Sequence, residues 1–283
     1  MKFGMLFANV GPFGRPEHAA ALGAICEETG IESVWTVEHV VVPGGYASEY
    51  PYSRDGKMPG GDTAPIPDPL MWLTWVGAHT TTLRLATGIL ILPQRNPVVL
   101  AKEVATLDVL SGGRVTLGIG VGWLEEEFDA LGIPFGERAA RTDECVAVMR
   151  ALWAGEAVDF DGSFTTLRGA NSFPHPAQTT VPIVVGGHTK AAARRAGRLG
   201  DGFFPGKGDW SELQPVMRAA AEEAGRDPDA IEITRGGAMD VDGIKRMCDE
   251  GCDRLVIPPL SFDPDGLRDA LARFADDVIS NLT

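Results

Sequence analysis

The stretch from Arg84 to Trp123 restricts the fold more than any other part of this chain. An apolar run from Leu85 to Leu92 stops at Pro93 and Asn96-Pro97. Apolar residues then recur at helical spacing, at Val99, Ala101, Val104, Leu107 and Leu110, until Gly112-Gly113 ends the pattern. A second strand, Arg114 to Ile119, opens into Gly118-Ile119-Gly120-Val121-Gly122. A strand, a helix and a strand joined by links this short place the two strands parallel and side by side.

The same alternation runs through the chain. Strands are expected at 2–8, 32–37, 84–91, 114–119, 182–186, 202–205, 231–235 and 254–257. Helices are expected at 16–29, 69–80, 98–110, 137–154, 189–199, 210–225, 242–250 and 264–280. Eight strands alternating with eight helices predict an α/β fold of the closed (β/α)8 kind, a TIM barrel, with an open doubly wound sheet as its rival. The 283 residues match one barrel domain spanning 1–283, since about 250 is typical of that architecture. Three connections are longer than a barrel needs. The first, 39–69, is rich in Gly, Pro and Tyr and predicts a lid or mouth wall. The second, 121–136, holds Glu125-Glu126-Glu127-Phe128, a short helix. The third, 155–182, reads as a β-hairpin with strands 157–160 and 164–167 around Asp161-Gly162, a decoration that stabilises. Trp72 and Trp75, three apart, fit a buried helix face.

Charge narrows the function. With 25 Lys and Arg against 39 Asp and Glu the formal net charge is −14, which argues against nucleic-acid and polybasic membrane partners. No apolar run approaches the length of a membrane span. The segment from Lys2 already reads as a strand, so no signal peptide is expected and the cytoplasm is the default compartment. Cys26, Cys145, Cys248 and Cys252 show neither metal-ligand spacing nor a disulfide framework, and free buried or half-buried thiols are expected.

Barrel chemistry sits at the C-terminal ends of strands, which selects the candidates. His39 closes the run Ser33 to Glu38 and could carry a proton near neutral pH; Glu38 alternates to the other side of the strand, so one of the two is structural. Gly186-Gly187-His188-Thr189 precedes a helix, where free N–H groups and the helix dipole favour an anion, and Thr189 is a natural N-cap. Local amides of this kind let a chain of net charge −14 hold an anionic cofactor. Gly118 to Gly122 is G-x-G-x-G after a middle strand, not the dinucleotide fingerprint; its backbone could approach a phosphate or ribityl chain. Asn96 fits a helix cap, Arg95 is a weaker site candidate, and Arg54 and Lys57 fit a solvated loop.

The 84–123 block, with Trp35-Thr36-Val37-Glu38-His39 and Val185-Gly186-Gly187-His188-Thr189, resembles the luciferase-like monooxygenase superfamily, and most of all its deazaflavin (coenzyme F420) dependent oxidoreductase branch. The resemblance is strong from Met1 to about Pro205 and thins beyond. It implies a barrel with a flavin or deazaflavin at its mouth. It implies His39 beside the reactive ring, a non-proline cis peptide at Gly88–Ile89 whose bulge supports that ring, and a phosphate turn at Gly186, Gly187 and His188. Glu38, Gly120, Val121, Gly122 and Trp123 join these as expected cofactor contacts. Sugar-phosphate dehydrogenases of the superfamily carry Glu where this chain has Trp123, so a more apolar substrate is expected. The implied activity is hydride transfer between the F420 C5 and a small organic substrate, in a homodimer. An FMN-dependent monooxygenase and a non-catalytic flavin carrier are the alternatives.

Overall fold

Why the chain closes on itself is visible in its strand pairing. The computed structural model describes residues 1–282. Its strands are β1 (Lys2–Leu6), β2 (Ser33–Thr36), β3 (Arg84–Thr87), β4 (Leu90–Ile91), β5 (Val115–Gly120), β6 (Val158–Asp161), β7 (Thr166–Ala170), β8 (Ile183–Gly186), β9 (Gly202–Phe204), β10 (Glu232–Gly236) and β11 (Arg254–Ile257). Nine of these form one sheet in the order β3-β2-β1-β11-β10-β9-β8-β5-β4, and β3 also pairs with β5. That extra pairing, Leu85 with Val115 and Ala86 with Thr116, shuts the sheet. Every pair in it is parallel. Because β3 and β4 are two halves of one broken strand, the ring has eight positions, as the alternation predicts.

The helices around it are α1 (Pro16–Glu28), α2 (Pro69–Ala78), α3 (Pro97–Ser111), α4 (Glu125–Ala130), α5 (Arg138–Ala154), α6 (Lys190–Leu199), α7 (Trp210–Glu223), α8 (Val241–Asp249) and α9 (Pro264–Asp277). Their starts are written in the sequence. Asn96 accepts from the N–H groups of Val98 and Val99 ahead of Pro97, and Gly112 ends the same helix at φ 70°. Asp68, Thr189, Asp209, Asp240 and Asp263 cap α2, α6, α7, α8 and α9. None of the helices is long and apolar enough to cross a membrane.

Two apolar regions result. The larger lies between strands and helices, from Leu22 and Val34 through Leu117 and Ile183 to Leu255 and Leu271. The smaller fills the barrel: Trp35, Ala86, Val184, Phe204 and Val256, with Leu6 against them. Below it Arg254, only 2% exposed, pairs with Glu32 and Glu232 beside the Trp35 ring. The barrel is therefore plugged beneath, and only its C-terminal mouth is free for chemistry.

Four expectations shift. The first strand stops at Leu6 because Phe7 takes φ 59°, a left-handed conformation that no strand continues through. The expected 84–91 strand is split at Gly88–Ile89. The hairpin forms as an antiparallel pair, but its second strand begins at Thr166, since Gly162 bonds to Thr165 and Glu144 of α5 accepts the N–H groups of Ser163 and Phe164. Trp72 is buried but Trp75 is 45% exposed. Helix α2 is apolar on nearly every side, so spacing alone could not choose its inner face; Trp75 lies at the edge and donates to the Pro16 carbonyl. The cysteines are free, three buried and Cys248 exposed.

Candidate active site

The mouth is assembled by the turns that follow each strand. Buried Asn9, after β1, donates to the carbonyls of Val37 (2.9 Å) and Pro67 (3.1 Å) and accepts the Val37 N–H (2.9 Å). One amide thus clamps both ends of the long excursion after β2. Just past the clamp stands His39. Its Nδ1 lies 3.0 Å from Oε2 of Glu127, whose side chain is fully buried. Oε1 of the same carboxyl accepts the N–H groups of Val40 (2.6 Å) and Val41 (3.2 Å). A group surrounded by donors is in its acceptor-only form, so the His39 proton belongs on Nδ1 and Nε2 is left for a reacting group. The imidazole is also held edge-to-face by Trp123, centroids 5.6 Å apart.

Glu38 goes elsewhere. Its carboxyl is paired with Arg95 and accepts the Ile91 N–H at 2.5 Å, and Arg95 reaches on to Asp68 at 2.8 Å. Burial raises the Glu38 carboxyl, and Arg95 opposes it. Of the neighbouring pair, Glu38 holds the second half of the broken strand at Ile91, while His39 is the one at the mouth.

The peptide between Gly88 and Ile89 is cis, at the place the family resemblance indicates. The glycines of the next strands make room for this break. A Cβ on Gly118 would overlap the Thr87 carbonyl oxygen, one on Gly120 would overlap the Ile89 side chain, and one on Gly186 would stand 2.5 Å from Ile89 Cγ2. Gly88 itself rests on Trp35, with a Cβ only 3.1 Å from that ring. The space a side chain would take at Gly118 and Gly120 is therefore filled by protein. Past them Val121 and Gly122 (φ 82°) turn the chain to Trp123.

Gly186 to Thr189 is a more open turn. Gly187 has φ 130° and its N–H is taken by the Phe204 carbonyl. Among the described residues the backbone N–H groups of His188 and Thr189 meet no protein acceptor. They lie at the N-terminus of α6, where Thr189 Oγ1 caps Ala192 at 3.2 Å. His188 Nδ1 is 3.3 Å from the Tyr52 hydroxyl. Burial, then nearby Lys207, lowers the His188 pKa, and burial pushes the Tyr52 phenol up to about 12. Tyr52 is thus the donor of this pair, leaving N–H on Nε2 of His188. Two free amides at a helix N-terminus and an imidazole N–H, with the Lys207 ammonium nearby on the Pro51 carbonyl, fit an anionic group such as a cofactor phosphate.

The roof was not foreseen residue by residue. The chain's three tyrosines all lie in the β2 excursion. Tyr46 and Tyr50 stand edge-on to Trp123 at 5.6 and 5.1 Å, Tyr50 to Tyr52 at 5.5 Å, and Tyr52 to His188 at 5.3 Å. An aromatic wall therefore runs from His39 to the anion turn, the mouth wall that the length of this loop predicts. Clustering of every tyrosine within 46–52 was the available signal. Lys57 binds the Tyr46 carbonyl, Arg54 is exposed, and Asn96 is a helix cap.

Comparison with known proteins agrees with this geometry. The luciferase-like monooxygenase family model matches residues 1–241. An uncharacterised protein of Mycobacterium tuberculosis is 34% identical over 92% of this chain and 94% of its own length. An F420-dependent glucose-6-phosphate dehydrogenase of Mycolicibacterium gilvum is 34% identical over 77% of this chain and 62% of its own. Monooxygenase RslO1 from Streptomyces bottropensis superposes with a TM-score of 0.76 at 26% identity, covering both chains fully. The broken barrel and these matches together define a flavin- or deazaflavin-dependent oxidoreductase class. The chain belongs to the luciferase-like monooxygenase family.

Proposed function

We propose that this protein is an F420-dependent oxidoreductase acting on a small organic substrate, with His39 as its proton-transferring group. The observation that carries the reading is the His39–Glu127 pair, which occupies Nδ1 and leaves Nε2 without a protein partner among the described residues. The bound deazaflavin would supply or accept a hydride at C5. The chain's residues do the rest. His188, Thr189 and Lys207 would hold the anionic end, Ile89 would back the ring, and Trp123 with the tyrosines would keep water away. When hydride leaves a carbon that bears a hydroxyl, that hydroxyl must lose one proton, and the bare Nε2 of His39 would accept it; in the reverse direction the imidazole, carrying that second proton on Nε2, would return it to the reduced acceptor. The named F420-dependent relatives support F420 over FMN. An FMN-dependent monooxygenase is the second reading; RslO1, named a monooxygenase, supports the reaction class and not the cofactor. Titration of the protein with F420 and with FMN decides between them, and binding of either without turnover of any substrate would favour a carrier.

For the assembly we propose a homodimer through α2 and α3. Met71 and Leu110, both more than 70% exposed, mark that face, together with Trp75 and Val99. Light scattering on the parent and on Met71→Glu should give a dimer and a weakened dimer; a monomeric parent would contradict it.

A further inference from the structure

Charge around the mouth is segregated. The turns after β8 and β9 carry His188 and Lys207 beside unpaired amides. The turns after β10, β11 and β1, residues 237–240, 258–263 and 7–14, hold two charged residues, Asp240 and Asp263. Both point back as helix caps, to Gly243 N at 2.8 Å and to Gly266 N at 2.9 Å. The first cation after β1 is Arg15, already the N-cap of α1. Asn9, the strongest polar group on this arc, is buried in its clamp. The same arc exposes Phe7, Met239 and Phe262, with Val40 and Val41 on the adjoining turn after β2. These turns are neighbours because β10, β11, β1 and β2 pair in that order. Phe7 is held there by a left-handed backbone that side chains other than glycine rarely adopt. At the outer edge, a pocket of about 480 Å³ opens between Pro12, Pro65, Pro67 and Phe262, with Arg15 and His18 at its rim.

Resting on the function proposed above, we infer that this arc is the substrate half of the mouth and that it takes an uncharged, largely apolar organic molecule. A phosphorylated or carboxylate substrate lying here would lose its water and meet, as charged side chains on these turns, only the anions Asp240 and Asp263, with the cation Arg15 at the outer edge. An apolar ring would cover Phe7, Met239 and Phe262 on one side and meet the aromatic wall of Trp123 and Tyr50 on the other. The anionic cofactor end keeps the opposite half, so the two ligands do not compete for charge.

The test uses the whole protein with and without F420, and three neutral ring ketones (cyclohex-2-enone, acetophenone and menadione) against glucose 6-phosphate. Saturation-transfer NMR reads probe binding, and cofactor fluorescence reads F420 occupancy. At least one ketone should bind more tightly than glucose 6-phosphate. Met239→Asp should weaken it about tenfold or more with F420 occupancy unchanged, while Met239→Leu keeps it. Tighter binding of glucose 6-phosphate, absence of binding by all three ketones, or indifference to Met239→Asp would overturn the inference. Loss of F420 binding by the parent protein would instead overturn the proposed function, and the probe arms without cofactor would still decide this one.

Discussion

In the proposed mechanism His39 and Glu127 act together, although they lie 88 positions apart. Replacing His39 by Ala should leave cofactor binding intact and lower single-turnover oxidation of reduced cofactor by about 10²–10⁴-fold, the usual contribution of a general acid or base. Equal rates at equal occupancy would make His39 structural. Glu127→Gln keeps the shape but replaces an acceptor by an amide. The account expects the ¹⁵N spectrum of His39 to show the Nδ1–H tautomer in the parent and a mixture in the variant; an unchanged spectrum would remove the positioning role. With five histidines in the chain the signals can be assigned. At the anion turn, Gly187→Asp sets a side chain at φ 130° against Ala192 and brings a like charge to the phosphate, so F420 binding should fall sharply in a folded variant. His39 and Gly187 were legible because strand ends and pre-helix glycines mark them. Glu127 was not, because nothing in the acidic run from Glu125 to Glu127 tells which carboxyl turns inward until the β2 excursion folds over it.

At the scale of elements, glycines mark contacts as much as turns. The run Gly118 to Gly122 suggested an open cradle, but Gly118 and Gly120 are small because the broken strand leans across them. Gly120→Val should therefore destabilise the fold by about 1–3 kcal/mol, as overpacking does, visible as a lower urea midpoint; an unchanged midpoint would refute the packing. The existence of each barrel element was readable from its period and cap. The hairpin register was not, because its turn is fixed by a tertiary contact with Glu144 of the preceding helix α5. Another helix-to-loop tie shows in pH. On α1, Glu27 accepts N–H groups from Thr81, Thr82 and Leu83 and the Thr82 hydroxyl. Burial works against its charge, but these four donors outweigh it and lower its pKa from 4.5 to about 2. A depressed folded pKa stabilises above the unfolded value and loses that stabilisation as pH falls. Glu27→Gln should thus be less stable than the parent at pH 7, with the gap closing between about pH 4.5 and 2; a gap independent of pH would contradict the assignment.

Across the whole molecule, the eightfold alternation sufficed to predict a closed barrel, since parallel strands with covering helices leave few other solutions. Which cofactor the barrel holds is not fixed by its shape, because one anion turn and one broken strand serve F420 and FMN alike. The most direct measurement is a paired equilibrium titration of the purified protein with F420 and with FMN at one ionic strength. F420 should bind at least tenfold more tightly, a difference of about 1.4 kcal/mol. FMN bound tenfold more tightly than F420 would contradict it and make the protein a flavin enzyme on the same barrel.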